Sequence, residues 1–251
     1  MIKHVNIAAE KERILGWLRQ RKEETGCKGV VLGISGGKDS TTVAMLLKAV
    51  WGENVLGILM PNGVQADIDD SFAIVRALNL DHRVININAA YEGLLGAISE
   101  KDLALSKQAK TNVPPRLRMA TVYAIAQTLG YQVAGTGNAS ERFIGWFTKW
   151  GDGGCDFNPI AHLTCTEVVQ LGRLLAREMG LDEKFVVKTP ADGLTGKTDE
   201  ENFGFSYSLL DGYIRGARGV DIEKEAQIER LHRFSRHKVQ MPAIIEDNIF
   251  D

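Results

Sequence analysis

Gly33-Ile34-Ser35-Gly36-Gly37-Lys38-Asp39-Ser40 decides how this chain is read. Directly before it runs Gly29-Val30-Val31-Leu32, short, apolar and β-branched, the pattern of a strand buried in a parallel sheet. Directly after it, Thr41-Thr42-Val43-Ala44-Met45-Leu46-Leu47-Lys48 places apolar residues at helical spacing. A Ser/Gly-rich turn therefore joins a strand to the first turn of a helix. At such a point unpaired backbone N–H groups and the helix dipole both favour an anion. Gly36 and Gly37 let the backbone approach a phosphate, and the hydroxyls of Ser35 and Ser40 add donors. Asp39 stands out, because a carboxylate facing phosphate is repelled unless a cation lies between them. A bridging Mg²⁺ removes that conflict.

The string is not the common phosphate loop G-x-x-x-x-G-K-[ST]: Leu32 occupies the place of the first Gly, and Asp39 follows Lys38. Its S-G-G-x-D-S pattern instead resembles the pyrophosphate loop of ATP pyrophosphatases, which cleave ATP between the α and β phosphates and adenylate a substrate. The plainer alternative is an ordinary glycine-rich turn, which six specified features in a row after a buried strand disfavour.

Working outward, an amphipathic helix precedes the loop from about Asn6 to Glu24, with Ile7, Ile14, Leu15 and Leu18 on one side. A second strand reads over Asn54-Val55-Leu56-Gly57-Ile58-Leu59-Met60-Pro61, then an acidic helix start at Asp67-Ile68-Asp69-Asp70. A third strand reads over Arg83-Val84-Ile85-Asn86-Ile87, followed by a helix to about Ser99. This cadence predicts an α/β fold, a doubly wound parallel sheet with helices on both faces. Such sheets bind ligands beyond the carboxyl ends of their strands, where residues 33–40 lie. Residues 101–113 are polar and non-periodic, which predicts a surface loop, with Pro114-Pro115 opening the next helix. Arg116 and Arg118 would then oppose the dipole of that first turn, a cost a bound anion offsets; a solvated basic turn is the favoured reading on these two alone.

Gln132-Val133-Ala134-Gly135-Thr136-Gly137-Asn138 reads as a further strand running into a turn. Asn138 and Glu141 have the spacing of a capping box. Glu141 also stands at a strand's carboxyl end, where it could be a second metal carboxylate beside Asp39, and this position favours the metal reading. Residues 148–159 are glycine-rich with Lys149, Asp152 and Asp156, either a surface turn or a site for a ring, a ribose or an amide. Thr164 and Glu167 form a plainer capping box opening a helix to about Met179. Residues 190–205, with Gly193, Gly196 and Gly204, form a candidate lid. Helices follow over residues 207–213 and 222–237, and the tail Arg236-His237-Lys238 is basic.

The 251 residues allow one large or two small domains, and a net charge of −2 argues against a protein whose whole surface binds nucleic acid, leaving room for a local basic patch. Cys27, Cys155 and Cys165 are scattered, which fits a reducing compartment rather than a disulfide framework. No apolar run is long enough for a signal or membrane span, so a soluble cytoplasmic protein is expected.

Taken in order, S-G-G-K-D-S, P-R-L-R-M, G-T-G-N-A-S-E, F-T-K-W-G-D-G-G-C-D-F-N-P, D-E-E-N-F-G-F-S-Y and R-H-K closely resemble the ammonia-dependent NAD synthetases, over nearly the whole chain. The resemblance implies an adenine nucleotide alpha hydrolase-like, Rossmann-like fold in one domain over residues 1–251, with no glutaminase domain. It implies adenylation of deamido-NAD on its nicotinate carboxylate by ATP·Mg²⁺, then displacement of AMP by ammonia to give NAD. Residue by residue, Gly33, Ile34, Ser35, Gly36, Gly37, Lys38, Asp39 and Ser40 would hold ATP phosphates, and Thr136 would contact adenosine. Asp39 and Glu141 would bind Mg²⁺; Arg116, Lys149, Asp156, His237 and Lys238 would contact deamido-NAD. A homodimer is implied, with the 236–238 tail serving the partner's site. Two positions depart from the family: Cys165 stands where many members have lysine, and Ala191 where many have Thr or Ser. Lys38 offers a compensating charge. A GMP-synthetase-like enzyme leaves F-T-K-W-G-D unexplained, a tRNA-thiolating enzyme lacks its cysteine pair and basic face, and a non-catalytic nucleotide sensor has no need of Asp39 and Glu141.

Overall fold

The computed structural model describes residues 4–64, 68–187 and 198–242. In chain order these form α1 (Ile7–Thr25), β1 (Val30–Gly33), α2 (Lys38–Trp51), β2 (Val55–Leu59), α3 (Ile68–Ala77), β3 (Asp81–Val84) and α4 (Asn88–Ser99). Then come α5 (Lys107–Leu129), β4 (Gln132–Val133), α6 (Ala139–Ile144), α7 (Cys165–Glu178), α8 (Asp199–Phe203), α9 (Tyr207–Ile214) and α10 (Ile222–Ser235). The four strands are parallel in the order β3-β2-β1-β4. The chain runs outward from β1 through β2 to β3, then returns to β1's other side as β4. That reversal is a switch point, and the loop after β1 sits on it.

Both sheet faces are covered, as a parallel sheet requires. Val30 and Leu32 of β1 pack into a core with Leu18 of α1, Leu46 of α2 and Leu171 of α7. Val31, pointing the other way, packs with Ile58 of β2 and with Val122 and Ala126 of α5. A third cluster gathers Ile144, Phe203, Tyr207, Leu210 and Ile228 from α6 and α8–α10.

The structure corrects two expectations. The 101–113 stretch is not all loop: Ser106 caps α5 by accepting from the Ala109 N–H at 3.1 Å, so the helix begins at Lys107. Pro114 and Pro115 therefore lie inside α5 and are buried, and Arg116 and Arg118 sit mid-helix, where the dipole argument no longer applies. The third strand starts earlier than its apolar residues suggest, at Asp81, because β3 is an edge strand with mostly exposed side chains. Its pairing continues informally, with the N–H groups of Ile85 and Ile87 donating to Leu59 and Pro61 carbonyls. β4 is only two residues long, extended by a bridge between Ala134 and Phe157.

Candidate active site

Ile34 continues β1 by donating to the Ile58 carbonyl at 2.9 Å, after which the chain turns. Gly36 makes the turn at φ +79°, and a Cβ there would meet Asp70 Cβ at 3.0 Å and the Ser71 N at 3.2 Å. A side chain is excluded on both counts. Ser40 is buried and bonds within the loop, its Oγ donating to the Gly37 carbonyl at 3.1 Å and accepting from the Ser35 N–H at 3.3 Å. Of the two hydroxyls expected to donate to a ligand, Ser40 fastens the turn and Ser35 is exposed. Gly37, the N-cap of α2, offers no side chain to cap the first-turn N–H groups, so the helix start is left open for an anion.

Asp39 and Glu141 come together through Asn138, which is completely buried. Asn138 Nδ2 donates to Asp39 Oδ1 at 3.1 Å, and its backbone N–H donates to Glu141 Oε2 at 3.0 Å. Asn138 Oδ1 accepts from the Glu141 N–H at 3.0 Å, completing a capping box. The capping and metal readings of Glu141 are thus compatible, since the cap is what holds its carboxylate beside Asp39. Burial first, and then the charge of Asp39, push the Glu141 carboxyl up to about 8. Lys38 Nζ reaches Asp39 Oδ2 at 2.6 Å, in a side chain only 4% exposed. Burial would lower the Lys38 pKa, but the charge of Asp39 beside it overrides this and holds the ammonium above its ordinary value. Cys165 opens α7 with its N–H on Ser140 Oγ at 2.9 Å. Burial raises its thiol pKa despite the nearby Lys38 charge, so Lys38 is the cation at this position. Thr136 lies part-buried in the turn after β4.

A second group of expected residues also assembles. Arg116 Nε donates to the Lys149 carbonyl at 3.3 Å, and Lys149 Nζ donates to the His237 carbonyl at 2.6 Å. Lys238 Nζ donates to the Gly145 and Phe147 carbonyls at 2.7 and 2.8 Å. Burial lowers its pKa, Asp152 works against that, and the charge of Arg116 adds to it. The basic tail thus packs on its own chain's 145–149 segment. Asp156 is engaged elsewhere: Oδ2 accepts from the Val133 N–H at 2.7 Å and Oδ1 from the Tyr123 hydroxyl at 3.1 Å, fastening the short β4.

The carboxylate clamp of Asn138 escaped the sequence reading, which saw that residue only as a cap; a buried amide at a strand's carboxyl end is the signal. Tyr207 was also missed. Its hydroxyl donates to Asp199 Oδ2 at 2.9 Å, and its ring centre lies 5.7 Å from Lys38 Nζ. The expected lid divides in two. Ala191, Gly193 and Gly196 lie outside the described residues, whereas Phe203 and Phe205 are packed in the third core cluster.

Two carboxylates on one polar clamp fit Mg²⁺, which takes one or two carboxylates and fills its shell with phosphate oxygens and water. Among the described residues no group of three His, Cys, Asp or Glu side chains could hold a metal without such help.

An open helix start, a carboxylate pair and a basic cluster at a switch point describe an ATP-using α/β enzyme. The NAD synthase family model matches residues 10–242. An NH(3)-dependent NAD(+) synthetase of Carboxydothermus hydrogenoformans is 41% identical over 243 residues, 96% of this chain and 98% of that protein. Among solved structures, NMN synthetase from Francisella tularensis superposes with a TM-score of 0.87 at 29% identity, covering 97% of this chain and 100% of that one. NH3-dependent NAD synthetase from Campylobacter jejuni superposes with a TM-score of 0.76 at 28% identity, with coverage of 97% and 100%. The chain belongs to the NAD synthase family, with its adenine nucleotide alpha hydrolase-like fold. Ammonia-dependent NAD synthesis, an ATP-using ligase reaction, is the activity this membership carries.

Proposed function

We propose that this domain adenylates deamido-NAD with ATP at the carboxyl ends of β1 and β4 and then amidates it with ammonia. The observation that carries the assignment is the Asp39–Asn138–Glu141 clamp beside the open start of α2. ATP phosphates lie along residues 33–40, with Thr136 against the adenosine. Asp39 and Glu141 would hold Mg²⁺, which when bound would supply charge to stabilise the α-phosphorus under attack and the departing pyrophosphate. Arg116, Lys149, Asp156, His237 and Lys238 hold the acid substrate. Its carboxylate oxygen bonds to the α-phosphorus and pyrophosphate leaves. Ammonia then adds to the acyl carbon, and AMP leaves with that oxygen. Tyr207, its ring packed on Phe203, lies beside Lys38 and gives this side of the loop an apolar wall.

The protein works as a homodimer in the cytoplasm. Supporting the dimer, α4 is rich in Leu, Ala and Gly, yet no residue of it is buried. Supporting the compartment, all three cysteines are free thiols. No helix of the described residues is long and apolar enough to cross a membrane. The charge of −2 supports small-molecule substrates rather than nucleic acid.

The test is to follow NAD, AMP and pyrophosphate from ATP·Mg²⁺ and deamido-NAD, with and without ammonium. Equimolar, ammonium-dependent formation of all three is expected; pyrophosphate release without deamido-NAD would contradict the assignment. A second reading rests on the higher TM-score of the Francisella NMN synthetase: the acid substrate is the pyridine mononucleotide. Comparing kcat/KM for deamido-NAD and nicotinate mononucleotide in the same assay decides between the two.

A further inference from the structure

Lys38 is buried to 3% exposure, a state lysine rarely enters unpaired. Its Nζ rests on Asp39 Oδ2 at 2.6 Å, while the other oxygen of Asp39 is tied through Asn138 to Glu141. The Tyr207 ring lies 5.7 Å from the ammonium on a further side. One cation of this chain thus already sits on Asp39, one of the two carboxylates that the assignment above gives to a metal. An ammonium and a divalent ion on one carboxylate repel one another strongly, and Lys38 already holds the Asp39 oxygen that Asn138 leaves free. The lysine stem is flexible and its charge is compact, so it can leave that oxygen for a nearby phosphate.

Resting on the reading of Asp39 and Glu141 as metal ligands, we infer that Lys38 is the resident counter-cation of that pair in the ligand-free enzyme. A divalent ion takes its place only together with ATP, whose phosphates receive the displaced ammonium. Metal and nucleotide therefore bind as one unit, and the free enzyme does not collect divalent ions. Without Lys38, Asp39 loses its resident cation, and the free protein acquires a metal.

The probe is Mn²⁺, titrated by electron paramagnetic resonance into nucleotide-free wild type, Lys38→Met and Lys38→Arg. Lys38→Met is expected to bind one Mn²⁺ tighter than wild type by about tenfold or more, and Lys38→Arg, which keeps the charge, is expected not to. Equal affinity in wild type and Lys38→Met overturns the inference. Should Lys38→Met not fold, wild type decides alone. One Mn²⁺ bound as tightly without α,β-methylene-ATP as with it, and lost in Asp39→Asn, overturns the inference; binding about tenfold or more tighter with the analogue is the expected result. The two layers separate cleanly. If Mn²⁺ on the analogue complex is indifferent to Asp39→Asn and Glu141→Gln, the metal assignment fails. If it needs both carboxylates yet Lys38→Met gains no Mn²⁺ without nucleotide, only the role of Lys38 fails.

Discussion

The nucleotide half of the site and the acid-substrate half are built in opposite ways. The loop over residues 33–40 is one contiguous turn between β1 and α2, and its internal bonds leave the helix start open. The acid half draws on α5, the 145–156 segment and the 236–238 tail, and its cations are spent on backbone carbonyls: Lys149 on His237, and Lys238 on Gly145 and Phe147. The first half is preorganised; the second must exchange protein contacts for substrate contacts. Electrostatic sites act most strongly where no reorganisation is needed, so the two halves should fail differently when altered.

The largest effect is expected at Asp39. Asp39→Asn should lower kcat for NAD formation by about a hundredfold or more while the protein keeps its circular-dichroism spectrum. In the acid half, Lys149→Ala and Lys238→Met should raise KM for the acid by roughly tenfold and leave KM for ATP unchanged, a split read from initial rates. A larger kcat loss at Lys149 than at Asp39 would break the comparison. Lys38→Ala should weaken ATP binding by about tenfold in titration calorimetry, because among the described residues Lys38 is the cation acting on Cys165.

Glu141 sharpens the comparison through pH. Its carboxyl stays protonated to about 8 in the folded protein, but titrates near 4.5 when unfolded. Folding then takes up a proton between those values, so ligand-free stability falls as pH rises through that window and is level above it. Glu141→Gln keeps an oxygen for the Asn138 N–H and removes the charge. It should raise the melting temperature at pH 9 by roughly 5 °C and abolish that slope, measured by calorimetry without ligands. The smallest effect belongs to Tyr123→Phe, which removes one bond to Asp156 and should cost about 1 kcal/mol of stability. An accompanying rise in KM for the acid would show Asp156 reaching substrate as well as fastening β4.

What the sequence revealed follows the same division. Strand, loop and helix around Gly33 were legible because burial, glycine and capping signals lie side by side in the chain. The meeting of Lys149 with His237 depends on how α10 returns over α6, and no local pattern encodes that. The start of α5 was hidden because its first turns face solvent, where polar residues carry no period, while Ser106 held the only cue. β3 was misplaced because an edge strand need not bury what it pairs. Asn138 was read as a cap, which it is, but its second bond to Asp39 spans 99 positions.

The pairing of β4 with β1 joins Val30 to Gln132 across about a hundred residues, and β4 has only two residues to secure it. Contacts so distant in sequence form late and slowly. Because Asn138 stands five residues beyond the end of β4, the carboxylate clamp is completed only when that strand docks. Recovery of nucleotide binding on refolding should therefore lag behind recovery of helix. A newly made chain can then hold its β1–α2 turn well before it can hold ATP, so nucleotide capture marks the moment at which the molecule is finished.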